Sequence, residues 1–314
     1  MPLDTNSSTS PFILVGIPDL ETTHSWMGLL FCSMYVSALL GNCMILLIVW
    51  LDRTLHEPMF YFLCMLGVID LVMPTSIVPK MLGIFWVKSR EIGWKACFIQ
   101  MFFVHSATAA ESGLLLAMAF DRYVAICHPL RYSTILTWKT VAQIGLAILL
   151  GAILFMTPLT WMLQRLPYCA SKVIAHSYCE HIAVSKLACT DSTASRFYSM
   201  VGSTLIVGTV IVFIAVSYGK ILKTVLSRTE KEARVKAFST CSSHICVMLL
   251  YFLPGMVSMY LQTFHHRVAP HTLVLLADFY LTIPSMLNPI IYSLRTKQVR
   301  EALLKAFSPK KDPV

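Results

Sequence analysis

The stretch TVAQIGLAILLGAILFMTPLTWMLQ, Thr140–Gln164, runs for 25 residues without an Asp, Glu, Lys or Arg. A helix rises about 1.5 Å per residue, so this stretch is long enough to cross the roughly 30 Å hydrocarbon core of a bilayer. Three further stretches also lack these four charged residues: Trp26–Leu51, Phe197–Gly219 and Ala237–Phe264. Apolar segments of this length predict transmembrane helices.

Three other long stretches carry only a few charged residues and complete a set of seven spans: Pro58–Val87, Cys97–Ile126 and Val268–Leu294. The chain of 314 residues is 56% hydrophobic and 13% charged, whereas soluble domains have about 25% charged residues. Strand-like alternation between short turns does not run through the sequence, which argues against a β-barrel. We therefore predict an all-α membrane protein whose seven-transmembrane helix bundle covers residues 26–294.

Lys and Arg are unevenly divided between the two sides of the predicted bundle. One side, which includes the tail 295–314, holds 16 of them and the other side holds 9. Because cytoplasmic loops carry the excess of Lys and Arg, we expect the N-terminal segment 1–25 outside the cell and the tail inside. A glycosylation acceptor, Asn6-Ser7-Ser8, falls on the predicted outer side. These features predict a multi-pass protein of the plasma membrane.

The tail begins with an amphipathic pattern over Thr296–Phe307. Val299, Leu303 and Phe307 recur every four residues, and the charged residues lie largely off that stripe. The pattern predicts a short helix on the inner leaflet of the bilayer. A helix of a soluble tail is the alternative, less favoured so close to a span.

Two carboxyl side chains fall within predicted spans, where ionisable groups are costly and usually functional. Asp70 lies midway along the second span and Glu111 midway along the third. If both face the interior, they share a proton or hold a sodium ion, and Asn42 and Asn288 extend the same network. The alternative is two protonated carboxyls, each with its own hydrogen-bond partner. No other cofactor is expected.

An acid and a base stand side by side at the inner end of the third span, as Asp121-Arg122. A lone Arg there would be an ordinary basic flank of a membrane helix. With an acidic neighbour that neutralises it and can release it, Arg122 is instead a candidate switch element. Asn288-Pro289 breaks the last span near its inner end, since proline has no N–H to donate; an ordinary proline kink is the alternative.

Four cysteines fall on the predicted outer side, where disulfides persist: Cys97, Cys169, Cys179 and Cys189. Their spacing leaves three pairings open. The other six cysteines lie within spans or at their inner ends and are expected to stay reduced.

Other classes of protein fit the sequence less well. The net charge of +9 collects beside the spans rather than on a basic face, so we expect no nucleic-acid partner. A transporter or channel should show internal repeats or paired broken helices, and no convincing repeat is present. Asp70 and Glu111 lack an accompanying nucleophile or a metal-ligand cluster, so the chain is not expected to be an enzyme.

Five motifs follow one another in order at the ends of the predicted helices: LHEPMFYFL (55–63), MAFDRYVAIC (118–127), SY (217–218), KAFSTCSSH (236–244) and PSMLNPIIY (284–292). They resemble the motifs of odorant receptors, a branch of the rhodopsin-like G-protein-coupled receptors. The opening GIPDLE (16–21), together with His24, Trp26 and His105, is similar to the class I, or fish-like, receptors. The resemblance covers the whole chain.

The resemblance implies two outer disulfides, Cys97–Cys179 and Cys169–Cys189. It also implies a small volatile odorant as ligand and a heterotrimeric stimulatory G protein as partner, with a rise in cAMP. A receptor of the same superfamily for a non-olfactory small metabolite is the alternative. The residues that would rearrange to admit the G protein are Asp121, Arg122, Tyr123, Tyr218, Lys236, His244, Asn288, Pro289 and Tyr292.

The ligand is expected in the outer half of the bundle, between the third, fifth, sixth and seventh spans and under the second outer loop. His105 and His181 are predicted to hold the polar end of the ligand; a satisfied interior histidine is the alternative for His105. The other predicted contacts are Ser106, Ala109, Ile182, Thr204, Leu205, Tyr251, Gly255 and Ser258. Class I receptors commonly carry an Arg where this chain has Thr263, and the nearest cationic candidates are His265, His266 and Arg267. Neutral oxygenated molecules and carboxylic acids therefore both remain open.

Overall fold

A computed structural model describes residues 10–169, 172–227, 231–264 and 268–307. Seven long helices, each apolar enough to cross a membrane, confirm the predicted bundle. We number them α1 to α7: His24–Leu51, Pro58–Val87, Trp94–Cys127, Trp138–Gln164, Thr193–Leu226, Lys231–Phe264 and Pro270–Arg295. The end of the bundle that carries the N-terminal segment is called the outer end, and the opposite end the inner end.

Most helices extend beyond the predicted spans. Only α2 keeps its predicted bounds, whereas α5 is extended at both ends and α6 begins six residues before Ala237, at Lys231. Apolar composition marks the part of a helix inside the hydrocarbon core, but backbone hydrogen bonds continue into the polar layers on either side. The seventh helix, α7, starts later than predicted, at Pro270, because proline suits the first helical turn, where an N–H has no partner.

A short helix, α8 (Lys297–Phe307), follows α7 and confirms the predicted tail helix. Val299 and Ala302 on its apolar face are buried, and the helix contacts α1 and α7. Thr296, predicted as its first residue, instead has extended backbone angles between the two helices. On the polar face, Lys305 Nζ lies 3.8 Å from Asp52 Oδ2.

Helix α3 is the centre of the bundle and contacts α2, α4, α5 and α6. It has 17 buried residues, whereas α5 has four and lies at the perimeter. Close approach of α3 to α4 depends on Gly113, since a Cβ there would lie 2.9 Å from Ile148. Helix α3 therefore runs through the centre of the bundle, and its two ends contribute residues to the outer and inner ends of the bundle.

Exposed tryptophans mark both membrane surfaces. Trp26, Trp86 and Trp161 lie near the outer ends of α1, α2 and α4, and Trp50 and Trp138 near inner ends. Indole rings favour the boundary between headgroups and hydrocarbon because they have an apolar body and a polar N–H. Their two levels place the hydrocarbon core around the middle of the bundle.

The N-terminal segment forms part of the fold, which the sequence did not predict. Strand β1 (Phe12–Leu14) is the central strand of a three-stranded sheet. It pairs antiparallel with β2 (Glu91–Ile92) in the first outer loop and parallel with β3 (Val173–Ile174) in the second. Phe12 and Leu14 are fully buried. Residues far apart in sequence thus close one side of the outer end.

Two disulfides hold the second outer loop, with the pairing that the resemblance implied. Cys97–Cys179 joins the loop to the start of α3, with the Cα atoms 5.5 Å apart. Cys169–Cys189 closes the loop on itself, with the Cα atoms 5.9 Å apart. A short helix, residues His181–Ser185, follows Cys179 directly. The loop is consequently fixed across the outer end of the bundle.

Candidate ligand-binding site

A cavity of about 160 Å³ lies among α3, α5, α6, α7 and the second outer loop. We call it the bundle cavity. Six of the ten predicted contact residues line it: His105, His181, Ile182, Tyr251, Gly255 and Ser258. They come from α3, α6 and the second outer loop, so these three elements converge as the sequence led us to expect.

The other four predicted contacts do not line the bundle cavity in the described part of the chain, and on α5 the predicted face is wrong. Leu205 is 64% exposed and faces the lipid, and the Thr204 hydroxyl lies 3.3 Å from the hydroxyl of Tyr260. Ser106 is buried and Ala109 is partly buried, without reaching the cavity. Helix α5 instead presents Ser199, Ser203 and Val207, which are four residues apart.

The error on α5 is one of rotation. Successive residues are turned by about 100° around a helix, so the two positions directly after Ser203, Thr204 and Leu205, point away from the cavity. Polar Ser199 and Ser203, one turn apart in an apolar helix, are the sequence signal that marks the inward face. Tyr280 of α7, which also lines the cavity, carries no comparable signal because aromatic residues suit lipid and protein contacts alike.

Two histidines stand together in the wall of the bundle cavity. The rings of His105 and His181 are 6.3 Å apart and nearly perpendicular. Burial, with a further contribution from His105, lowers the pKa of His181 to about 3, so its ring is neutral at physiological pH. His181 Nε2 lies 3.1 Å from Ser195 Oγ, while His181 Nδ1 and His105 Nε2 have no partner in the described residues. These two nitrogens are the candidate polar contacts for a ligand.

The floor of the bundle cavity is built by Tyr251. Its hydroxyl donates to the carbonyl of Thr108 at 2.5 Å and lies 3.1 Å from Ser112 Oγ. One turn along α6, Gly255 leaves space for the ring of Tyr280, because a Cβ at 255 would come within 2.6 Å of that ring. The floor therefore couples α3, α6 and α7 directly beneath the cavity.

The described residues of the bundle cavity provide no cationic side chain for an anion. Among its described lining residues there is no Lys or Arg, and Glu180 is the one acid. Glu180 Oε2 accepts from the backbone N–H of Ala183 at 2.6 Å, and burial raises the pKa of this carboxyl. The side chain of Thr263 and the residues His265, His266 and Arg267 lie outside the described part of the structure.

A polar network occupies the middle of the bundle. Asn288 Nδ2 donates to Asp70 Oδ2 at 2.9 Å, which joins α7 to α2. Asn42 Nδ2 donates to the carbonyl of Ser285 at 2.9 Å and joins α1 to α7. Glu111 of α3 interacts electrostatically with Asp70, and neither carboxylate oxygen of Glu111 has a partner in the described residues. The predicted network of Asp70, Glu111, Asn42 and Asn288 is thus brought together.

At the inner end of α3, Asp121 and Arg122 form an ion pair. Arg122 Nε lies 2.9 Å from Asp121 Oδ2, and the Tyr132 hydroxyl donates to Asp121 Oδ1 at 2.8 Å. Asp121 is fully buried, and the Arg122 side chain is 15% exposed. Tyr123 instead contacts His128, with 3.2 Å between its hydroxyl and Nε2. Arg122 is therefore held by its own neighbour on the helix.

Further predicted switch residues surround Arg122. The Arg122 guanidinium interacts electrostatically with Tyr218 of α5 and His244 of α6, and the His244 ring packs 5.7 Å from that of Tyr292. Pro289 packs against Gly41 of α1. The hydroxyls of Tyr218 and Tyr292 and both nitrogens of His244 are buried without a partner in the described residues. The side chain of Lys236, and Asn6 as a whole, lie outside the description.

Comparison with known proteins identifies a family. The family model for olfactory receptors matches residues 31–310. Over 300 residues the chain is 52% identical to Olfactory receptor 52I1 of Homo sapiens, covering 95% of this chain and 93% of that protein. It is 49% identical over 306 residues to human Olfactory receptor 52K1 (97% and 98% covered). It is 46% identical over 302 residues to human Olfactory receptor 51E2 (96% and 94% covered).

Proposed function

The chain belongs to the olfactory receptor family, in its class I branch, and from this premise we propose that it binds a small volatile molecule in the bundle cavity and activates a stimulatory G protein. Membership makes it an odorant receptor of the plasma membrane and not an enzyme. The observation that carries the ligand site is the convergence of His105, His181, Tyr251 and Ser258 on one cavity. A receptor for a non-olfactory metabolite would use the same cavity and is the alternative.

The ligand is a neutral oxygenated molecule rather than a carboxylate. An anion inside a low-dielectric cavity needs a cation or several donors to offset its lost hydration, and the described walls supply Glu180 instead. An alcohol, ketone or ester needs only one or two hydrogen bonds, which the histidines can form. The small volume and apolar walls fit a short hydrocarbon tail. A cAMP reporter assay against acids, alcohols, ketones and macrocycles tests this choice.

With an agonist from that panel, His105→Ala and Ser258→Ala should each weaken potency roughly 3- to 10-fold, since a net hydrogen bond contributes about 0.5–1.5 kcal/mol. Ser203→Trp should abolish the response, because an indole ring would fill most of the bundle cavity. Dose–response curves at matched surface expression give the comparison.

Leu205→Trp is the matched control, since it adds the same side chain two residues away on the lipid face of α5. The agonist should be as potent on Leu205→Trp as on the unsubstituted receptor. Unchanged potency in Ser203→Trp, or a loss confined to Leu205→Trp, would place the ligand elsewhere.

A bound sodium ion is a further part of this proposal. Sodium, like other hard cations, prefers oxygen ligands. Both carboxylate oxygens of Glu111 and the amide oxygen of Asn288 are buried and have no partner in the described residues, so the polar network around Asp70 fits such an ion. No group of three or more His, Cys, Asp or Glu side chains converges in the described chain, which argues against a transition metal. Agonist potency should then depend on sodium concentration, and Asp70→Asn should remove that dependence.

We further propose that the N-terminus faces the cell exterior, so that the bundle cavity opens outward and Arg122 faces the cytoplasm. The 16-to-9 division of Lys and Arg supports this orientation, as do the two disulfides at the outer end. Antibody should therefore bind an N-terminal epitope tag on intact cells. Staining that needs permeabilisation, with the protein at the plasma membrane, would reverse the orientation.

A further inference from the structure

A second cavity, of about 410 Å³, lies above the bundle cavity. We call it the outer cavity. It is bounded by the second outer loop on one side and by the outer ends of α6 and α7 on the other. Its walls are mainly aliphatic, with Val173, Leu187, Leu273 and Val274, and Lys186 and His176 add polar groups. The outer cavity is the larger of the two and lies within the usual size range of ligand pockets.

Three residues line both cavities and form the partition between them: Glu180, Ile182 and Gln262. Glu180 is fixed, because its carboxylate caps the short helix that begins at His181. Gln262 is tied to Ser258 Oγ by a hydrogen bond of 3.1 Å, and Ile182 is only partly buried. Passage between the cavities therefore depends on rotation of two side chains, a motion much faster than movement of a helix.

The part of the outer end that the N-terminal segment covers is closed by packed structure, because β1 pairs with β3 of the second outer loop. Phe12, Leu14 and Ile17 of the N-terminal segment are fully buried, in the same hydrophobic cluster as Cys97 and Cys179. Opening that side would require breaking the β1 sheet and exposing these side chains. The gap between the second outer loop and the outer ends of α6 and α7, where the outer cavity lies, instead adjoins the bundle cavity through shared wall residues.

His176 provides the outer cavity with a hydrogen-bond donor. Its Nδ1 accepts from the backbone N–H of Ser177 at 3.1 Å, and burial lowers the pKa of the ring to about 3. The neutral ring therefore carries its hydrogen on Nε2, and Nε2 has no partner among the described residues. A molecule with an accepting oxygen, such as a carbonyl or hydroxyl, complements this donor.

We propose that the outer cavity is a second ligand site, which small, neutral, mostly apolar oxygenated molecules occupy before they pass between Ile182 and Gln262 into the bundle cavity. The inference rests on the proposed function in one respect, namely that the bundle cavity is the final binding site of the ligand. Molecules would thus be selected twice, first by the aliphatic outer walls and then by the smaller bundle cavity.

A chemical probe tests this passage without any agonist. Ser203→Cys places a thiol in the wall of the bundle cavity, and methyl methanethiosulfonate, a small neutral reagent, would be added to the receptor in lipid nanodiscs. Mass spectrometry of the peptide that contains residue 203 gives its rate of modification. Ser133→Cys, at an exposed position between α3 and α4 at the inner end, is added to every variant as the internal standard, because its rate should not depend on either cavity.

Two substitutions then fill the outer cavity from opposite walls, Leu273→Trp on α7 and Ala175→Trp in the loop. Each should slow modification at residue 203 by about tenfold, the change that ~1.4 kcal/mol in a barrier produces. Thr272→Trp is the matched control: it adds the same side chain at an exposed neighbouring position outside the cavity lining. Its rate should be unchanged, and Ile182→Ala should raise the rate.

Unchanged rates in both filled variants, with normal modification at residue 133, would overturn the proposal and favour access from the bilayer between α5 and α6. A slowing in Thr272→Trp equal to that in Leu273→Trp would also overturn it. Because no receptor signal is read, these outcomes are independent of whether an agonist is found or which G protein responds.

Discussion

Cys97→Ser and Cys179→Ser are each expected to remove the receptor from the cell surface. Loss of a native disulfide typically costs about 2–5 kcal/mol, and both sulfurs lie in the outer hydrophobic cluster without exposure. The bridge fixes the second outer loop over α3, and His181 of the bundle cavity follows only two residues after Cys179. Surface staining of an N-terminally tagged receptor, against total protein, gives the measurement.

The double variant should be no worse than either single variant, since both remove the same bond. Cys43→Ser, at a free lipid-facing cysteine, is the matched control and should traffic normally. Cys169→Ser should have a smaller effect, because its bridge spans 20 residues rather than 82, a difference of about 1 kcal/mol in the chain-entropy account. Normal trafficking of Cys97→Ser would show that the bridge is dispensable.

Arg122→Ala is expected to suppress agonist-driven cAMP while the receptor still reaches the surface. Arg122 stands at the inner end of the central helix, beside Tyr218 and His244, and Asp121 keeps its hydrogen bond from Tyr132 when the guanidinium is removed. Potency should fall roughly tenfold to a hundredfold, within the usual range of coupling between distant sites, or the response should vanish. The readout is a cAMP dose–response curve at matched surface level.

The companion variant Asp121→Asn tests the release of Arg122 by changing its ion-pair partner instead of the arginine. An amide removes the charge that holds the guanidinium, so basal cAMP should rise without agonist. Arg131→Ala, at an exposed arginine of the same inner surface, is the control and should respond normally. Full signalling by Arg122→Ala would remove this residue from the proposed switch.

Much of the candidate site could be predicted because its residues belong to recognisable motifs. Resemblance to known motifs predicted the disulfide pairing and the Asp121–Arg122 pair. Position along a helix predicted that His105, Tyr251 and Ser258 would contact the ligand. Leu205 was assigned to the wrong face because most of α5 is apolar, and only the two serines Ser199 and Ser203 mark its inward face. In a soluble protein, a surface helix has a polar face that shows which side is exposed to water. A membrane helix lacks this signal, because lipid is as apolar as the protein interior.

The sequence by itself determined the seven spans, their order and the tail helix, because the length of charge-free chain and the placement of Lys and Arg are local properties read by the bilayer. Tertiary structure alone decided that Asn288 is the direct partner of Asp70 within the predicted network, that β1 inserts between two distant loops, and that the two cavities share a wall. Each of these depends on segments far apart in the chain meeting in space. The hydropathy of a segment does not predict such tertiary contacts, since lipid-facing and protein-facing residues of a membrane helix are mostly apolar alike.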